Sequence, residues 1–157
     1  MQPATAASAR AVQSVLGERF TVLEFDASTR TASDAAAAIG CTVAEIAKSL
    51  LFRAEDGRPV LVVLSGSARG DEAKIAAAIG QAISKADADF VREMTGFAIG
   101  GVPPVGHRVA PITLIDDSLM GFEAIWAAAG TPNAVFRLTP AELVTLTGGR
   151  VVAVQRG

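Results

Sequence analysis

Val43-Ala44-Glu45-Ile46-Ala47-Lys48-Ser49-Leu50-Leu51-Phe52 leads through Glu55-Asp56-Gly57-Arg58-Pro59 into Val60-Leu61-Val62-Val63-Leu64-Ser65-Gly66. Val43, Ile46, Ala47 and Leu50 recur at helical spacing, which predicts a short helix over 43–47. A strand over 49–54 follows. The Asp-Gly-x-Pro turn chemistry then predicts that strands 49–54 and 60–65 pair antiparallel. Lys48 is the charge in this otherwise apolar run, placed at a helix-to-strand junction close to the core. A lysine there can run its stem along apolar surface with the ammonium in water. Alternatively it stands as a fixed cation able to hold a carbonyl oxygen, a phosphate or a developing oxyanion. Spacing leaves both readings open.

The rest of the chain alternates short strands with short helices. Helical spacing over 5–18 puts Ala7, Ala11, Val12 and Val15 on one face, and Gly17 is a stop. Thr21–Phe25 reads as a strand, and Thr31 to Asp34 supply N-cap residues for a helix that Gly40 ends. Further helices are expected from Gly70-Asp71-Glu72 to Ile79, over 87–95 and over 140–146, the last opened by Thr139-Pro140. Strands are expected at 83–86, 112–116, 124–128, 133–138 and 150–155. The expected architecture is α+β, with a mixed, mostly antiparallel sheet curled into a small barrel and flanked by helices. No linker or repeat divides residues 1–157, so one domain is expected.

Composition narrows the chemistry. The chain has 157 residues, enough to bury a sizeable core, and half of them are hydrophobic. No apolar run reaches a membrane span, and the N-terminus lacks a leader-like charge and apolar pattern, so a cytoplasmic location is expected. Cys41 is the sole cysteine and His107 the sole histidine. A disulfide, a zinc site and a Ser-His-Asp triad are therefore disfavoured, and neither metal nor cofactor is expected. Net charge is −2, with 14 Lys and Arg residues scattered along the chain. That argues against tight, autonomous binding of phosphate backbones but not against weak recognition of one end of a nucleic acid. Arg10, Arg19, Arg30 and Arg53 are candidates for a local basic patch.

Ile99-Gly100-Gly101-Val102-Pro103-Pro104-Val105-Gly106-His107 holds three glycines and two prolines. Such a run is neither helix nor strand interior. It is a rigid loop with bare amides, suited either to turning a corner or to gripping an anionic group. His107 follows it, as a surface residue before Arg108 or as a contact for substrate.

Ala47-Lys48-Ser49-Leu50-Leu51-Phe52, followed some fifty residues later by the Gly-Gly-x-x-Pro-x-Gly loop, resembles the YbaK/prolyl-tRNA-synthetase-associated domain family. Its members include free-standing trans-editing proteins and the editing insertion of bacterial prolyl-tRNA synthetases. The resemblance runs over nearly the whole chain, through Ile112-Thr113-Leu114-Ile115-Asp116, Asn133 to Leu138 and Thr139 to Leu143. It implies hydrolysis of the ester joining a wrong, small amino acid to the 3′ end of a tRNA, typically tRNA-Pro. The implied partners are the aminoacyl-tRNA acceptor end and a prolyl-tRNA synthetase that delivers it. On that reading Lys48, Gly100 and Gly101 are the catalytic candidates, the two glycines through their amides. Ser49, Ser65, Pro104, Gly106 and His107 are the substrate-binding candidates. Val135 stands where some members carry an acidic or polar pocket residue, and Ser49 where other branches have threonine or asparagine, so specificity is legible only as small residues. Two rival classes stay open: a non-catalytic module that binds aminoacyl-tRNA or a synthetase, and a small-molecule hydrolase on the same scaffold.

Overall fold

The expected hairpin is the centre of the sheet. In the computed structural model, which describes residues 1–26 and 31–157, β3 (Ile46–Ala54) and β4 (Pro59–Ser65) pair antiparallel from Ala47 opposite Ser65 to Arg53 opposite Pro59. Before them come β1 (Gln2–Pro3), α1 (Ala7–Leu16), β2 (Val22–Glu24), α2 (Ala32–Ile39) and a 3-10 turn (Val43–Glu45). After them come α3 (Glu72–Ile79), β5 (Ile83–Lys85), α4 (Ala88–Thr95), β6 (Ile112–Asp116) and a 3-10 segment (Asp117–Gly121). The chain then runs through β7 (Ile125–Ala128), β8 (Ala134–Leu138), α5 (Pro140–Thr147) and β9 (Arg150–Val152).

The strand order is β1-β2-β8-β7-β3-β4-β6-β9, with β5 on β3. The pairs β3–β7, β4–β6 and β6–β9 are parallel and the others antiparallel, so the expected mixed α+β sheet is present. It does not close into a barrel, because the path ends on β1 and β9 without pairing them.

β4 lies between β3 and β6 and every residue in it is buried, which explains its unbroken Val/Leu run. The pleat divides that run between two cores. Leu61 and Val63 join Val12, Val91, Phe136 and Leu143 on one face, whereas Val60, Val62 and Leu64 join Phe52, Ile75 and Val154 on the other. On α1 the inward stripe is Ala9, Val12 and Leu16, so of the expected face only Val12 points inward. Ala7 and Ala11 are exposed and Val15 is 59% exposed. The stripe that carries Leu16 buries more apolar surface than the alanine-rich one, so it wins the core.

Two boundaries moved for identifiable reasons. The helix expected over 43–47 is only the 3-10 turn Val43–Glu45, since Ile46 and Ala47 pair with Trp126 and Ala127. Five residues cannot hold a helix against a ladder on each side. The last strand stops at Val152 because the buried Asp116 carboxylate draws the chain aside, accepting from the Val154 N–H at 2.8 Å and the Gln155 N–H at 3.1 Å. The same carboxylate caps the following 3-10 segment through the Ser118 N–H.

α5 begins as its sequence predicts. The Thr139 hydroxyl accepts from the Glu142 N–H at 3.1 Å, and Glu142 accepts from the Thr139 N–H at 2.8 Å. Thr139→Ala should cost about 1 kcal/mol, a fall in Tm of about 2–4 °C for a chain of this size. An unchanged melting curve would show that the cap contributes nothing.

Of the four arginines expected to form a patch, Arg19 pairs with Glu142 at 3.5 Å and Arg53 lies 5.2 Å over the Phe90 ring. Arg10 is exposed on α1, and Arg30 lies outside the described residues.

Candidate functional site

Lys48 is the third residue of β3, well inside the strand rather than at a helix-to-strand junction. Its stem is half-buried and its ammonium donates to the Ala68 carbonyl. It is thus neither a freely snorkelling side chain nor a neutralised one. The ion pairs among the described residues are Arg19–Glu142 and Arg58–Asp56, so no carboxylate compensates Lys48. Burial pushes its pKa below the ordinary lysine range, and the Arg69 guanidinium adds a smaller push in the same direction.

A lowered pKa means that the positive charge is lost at a lower pH than for a free lysine. If the ammonium acts as a cation in turnover, activity should fall on the alkaline side before pH 10.5, the ordinary lysine value. Arg69→Gln removes one of the two causes and should move that limb to higher pH. A profile of kcat/KM against pH, corrected for uncatalysed hydrolysis, checks this; a limb that stays in place or moves down contradicts it.

Lys48, Ser49 and Gly100 line one pocket of about 230 Å³. Their neighbours there include Trp126, Ala128 and Val135, so the walls are mainly small or apolar. Ser49 Oγ is buried and has no hydrogen-bond partner among the described residues. Leaving a buried hydroxyl unpaired is costly, and a bound polar group would remove that cost. Gly100 is exposed, with φ +97°, a conformation that side chains rarely adopt. Its N–H meets no acceptor among the described residues, and the same holds for the N–H of Val102, which also lines the pocket.

Gly101, expected as a second amide donor, is committed elsewhere. Its N–H donates to the Ala98 carbonyl at 3.1 Å, and its carbonyl accepts from the Gly130 N–H at 2.8 Å. A Cβ on Gly101 would lie 2.8 Å from the Gly130 carbonyl carbon and from Thr131 Cα and N. Glycine is required at 101 by close packing of two backbones, not by the approach of a substrate. The amides left for an anion in this pocket are those of Gly100 and Val102.

The remaining substrate-binding candidates lie outside the lining of that pocket. Ser65 Oγ donates to the Ala44 carbonyl at 2.7 Å and so ties the end of β4 to the 3-10 turn. Pro104 is buried in the loop. Gly106 packs toward Val15 of α1. His107 is half-buried rather than a surface residue, and its Nε2–H donates to the Pro103 carbonyl at 2.6 Å. Burial holds its pKa below the ordinary imidazole value, against the smaller opposing effect of that hydrogen bond. His107 therefore fastens the proline loop.

Several lining residues were not singled out in the sequence. Trp126 and Ala128 lie at alternate positions of β7, with Ile125 and Ala127 turned to the core. Thr131 and Pro132 come from the β7–β8 turn. The signal for Trp126 was present: the sole tryptophan stands in a strand on the face opposite its core residues.

Comparison with known proteins covers this region and most of the chain. A sequence profile described as the aminoacyl-tRNA editing domain matches residues 26–146. The uncharacterised protein YwhH of Bacillus subtilis is 37% identical over 130 residues, 83% of this chain and 83% of its own length. EbsC of Enterococcus faecalis, described as a candidate Cys-tRNA(Pro)/Cys-tRNA(Cys) deacylase, is 25% identical over 127 residues, covering 79% of this chain and 76% of its own. A crystal structure described as a candidate trans-editing enzyme for prolyl-tRNA synthetase superposes with a TM-score of 0.93 at 46% identity. It covers 98% of this chain and 100% of that one.

Proposed function

The chain belongs to the aminoacyl-tRNA editing domain family, and from that membership we propose that it hydrolyses mischarged aminoacyl-tRNA carrying a small wrong amino acid, with tRNA-Pro as the tRNA. One observation carries the reading: an ammonium, a buried hydroxyl and loop amides that have no carboxylate, hydrogen-bond partner or acceptor, respectively, among the described residues meet in one small, mainly apolar pocket.

Deacylation adds water to the ester carbonyl carbon and breaks its bond to the ribose oxygen. A free amino acid leaves, and the ribose oxygen takes up a proton. The passing tetrahedral intermediate carries an oxyanion, and Lys48 with the Gly100 and Val102 amides are the groups fitted to hold it. Ser49 Oγ is fitted to position the water or the amino group of the substrate. The ester is already activated, so no protein nucleophile is needed, and the substrate brings a ribose hydroxyl of its own that is available to assist.

The pocket walls support a small apolar acyl group. The volume of about 230 Å³ restricts its size, Ala35, Ala47, Ala128 and Ala134 give it small apolar walls, and Val135 offers no charge or hydrogen bond to a polar side chain. Such a sieve answers a physical need. A synthetase pocket discriminates against a side chain one methylene different by only about 10–200-fold, and a second site that rejects the correct residue restores fidelity. The scattered basic residues fit weak capture of the acceptor end, with a prolyl-tRNA synthetase as the partner that delivers it.

A panel of tRNAs charged with alanine, serine, cysteine, 2-aminobutyrate or proline tests this. Release of small acyl groups from tRNA-Pro, with Pro-tRNA-Pro left intact, is expected. Binding without release would identify a non-catalytic module instead.

A further inference from the structure

The β3–β7 ladder stops at Ala47 and the β3–β5 ladder starts at Phe52. Between them, from Lys48 to Leu51, this side of β3 faces no strand among the described residues. Register decides which main-chain groups lie there. The Ile46 carbonyl accepts from the Gly66 N–H on the β4 side, and alternation along the strand turns the peptide groups of Ser49 the other way, into the gap.

Two cavities open on this gap and share Ser49, Gly100 and Val102. The first is the 230 Å³ pocket already described. The second measures about 390 Å³, within the range of small-ligand sites. Leu50, Phe52, Val91 and Ile99 give it apolar walls, while Lys85 and Glu72 supply charge. Ile99 is 61% exposed although it is a large aliphatic residue. Lys85 takes part in no ion pair among the described residues.

We propose that this second cavity receives the terminal nucleoside of the tRNA, so that the substrate lies across the open edge of β3 with its ester beside Ser49 and Gly100. The assignment rests on the deacylase reading. An aminoacyl ester has a small acyl group on one side and a ribose with a flat base on the other, and the two cavities diverge from the residues that would hold the ester. A base has an apolar face for Leu50 and Ile99 and a polar edge for the peptide groups of Ser49. Lys85 is a cation fitted to the phosphodiester that follows. An added peptide strand is the competing occupant of a free edge. Here the edge is closed at both ends by β7 and β5, which leaves such a strand no room to continue.

The probe is adenosine 5′-monophosphate, titrated into the full chain and followed through backbone amide resonances. Shifts are expected at Leu51, Ala86 and Ile99, with Trp126 and Val135 unmoved. Ala86→Phe, which narrows the second cavity from its rim, should remove those shifts and raise KM for mischarged tRNA about tenfold, the weight of one stacked base, with kcat within about twofold. Lys85→Ala, at an exposed position, should weaken nucleotide binding without altering the fold. Inorganic phosphate reproducing the full set of shifts would reduce the cavity to an anion site and overturn the proposal. So would shifts confined to the first pocket, no shifts up to the solubility limit, or shifts caused by an extended peptide and not by the nucleotide. The nucleotide titration is read without turnover. Failure of the deacylase reading would appear separately, as an inactive wild-type chain.

Discussion

Lys48→Ala should lower deacylation of a mischarged small-acyl tRNA by about a thousandfold, the upper end of the loss found when one oxyanion-stabilising group is removed. The expectation rests on the placement of the charge. Lys48 stands half-buried on β3, with no carboxylate among the described residues to neutralise it, and it lines the same pocket as Ser49 and Gly100. A cation in partly dehydrated surroundings acts on a developing negative charge far more strongly than one in water. The fold should survive. Among the described residues the ammonium makes one hydrogen bond, to the Ala68 carbonyl, so its loss costs about 1–3 kcal/mol, and Lys48→Met preserves the packing of the stem. Both variants should therefore melt cooperatively and fail to turn over. Near-wild-type turnover in either one would make Lys48 a structural residue that braces the 65–70 segment and would remove the mechanism proposed above.

How far such a site can be read in advance depends on which signals are local. The β3–β4 hairpin was legible because turn chemistry at Asp56-Gly57 and a run of branched apolar residues lie within one short stretch. The helices α2 to α5 were legible through their caps, and Thr31, Asp71, Asp87 and Thr139 all accept from an N–H in the first turn. The convergence of Lys48 with the glycine loop was legible only through family resemblance, since no spacing rule brings residues fifty positions apart into one pocket. The gap in the sheet had no sequence signal at all. It arises because β7 and β5 each cover part of β3, a consequence of where two distant strands happen to end. The inward stripe of α1 was misplaced because small alanines satisfy helical periodicity on several faces, and only packing against the core selects Leu16 over Val15. His107 was read as a surface residue before Arg108 or as a substrate contact, because nothing local shows that the ring folds back onto Pro103.

The two adjacent glycines of the loop should respond differently to the same substitution, and the difference separates scaffold from site. Gly101→Ala places a methyl group 2.8 Å from three main-chain atoms of the β7–β8 turn. Backbone cannot rotate away as a side chain can, so the loop and the turn must part. Overpacking of this kind costs about 3 kcal/mol, a fall in Tm of about 6–12 °C. Parting them also breaks the hydrogen bond from the Gly130 N–H to the Gly101 carbonyl. It shifts Gly100 and Val102 on one side of the pocket and Thr131 and Pro132 on the other, so activity should be lost together with stability. Gly100→Ala meets only Pro132 Cγ at 3.8 Å, an ordinary contact, and its cost is the positive φ of +97°, about 1–2 kcal/mol for a residue with a side chain. That variant should stay folded with a smaller fall in Tm, and its loss of activity should appear in kcat, where a displaced amide donor acts. Thermal melts and steady-state kinetics on the pair decide the matter. A Gly101→Ala chain with wild-type Tm would show that the loop is not clamped to the turn. A Gly100→Ala chain with wild-type kcat would leave Lys48 without an amide from residue 100 to share the oxyanion.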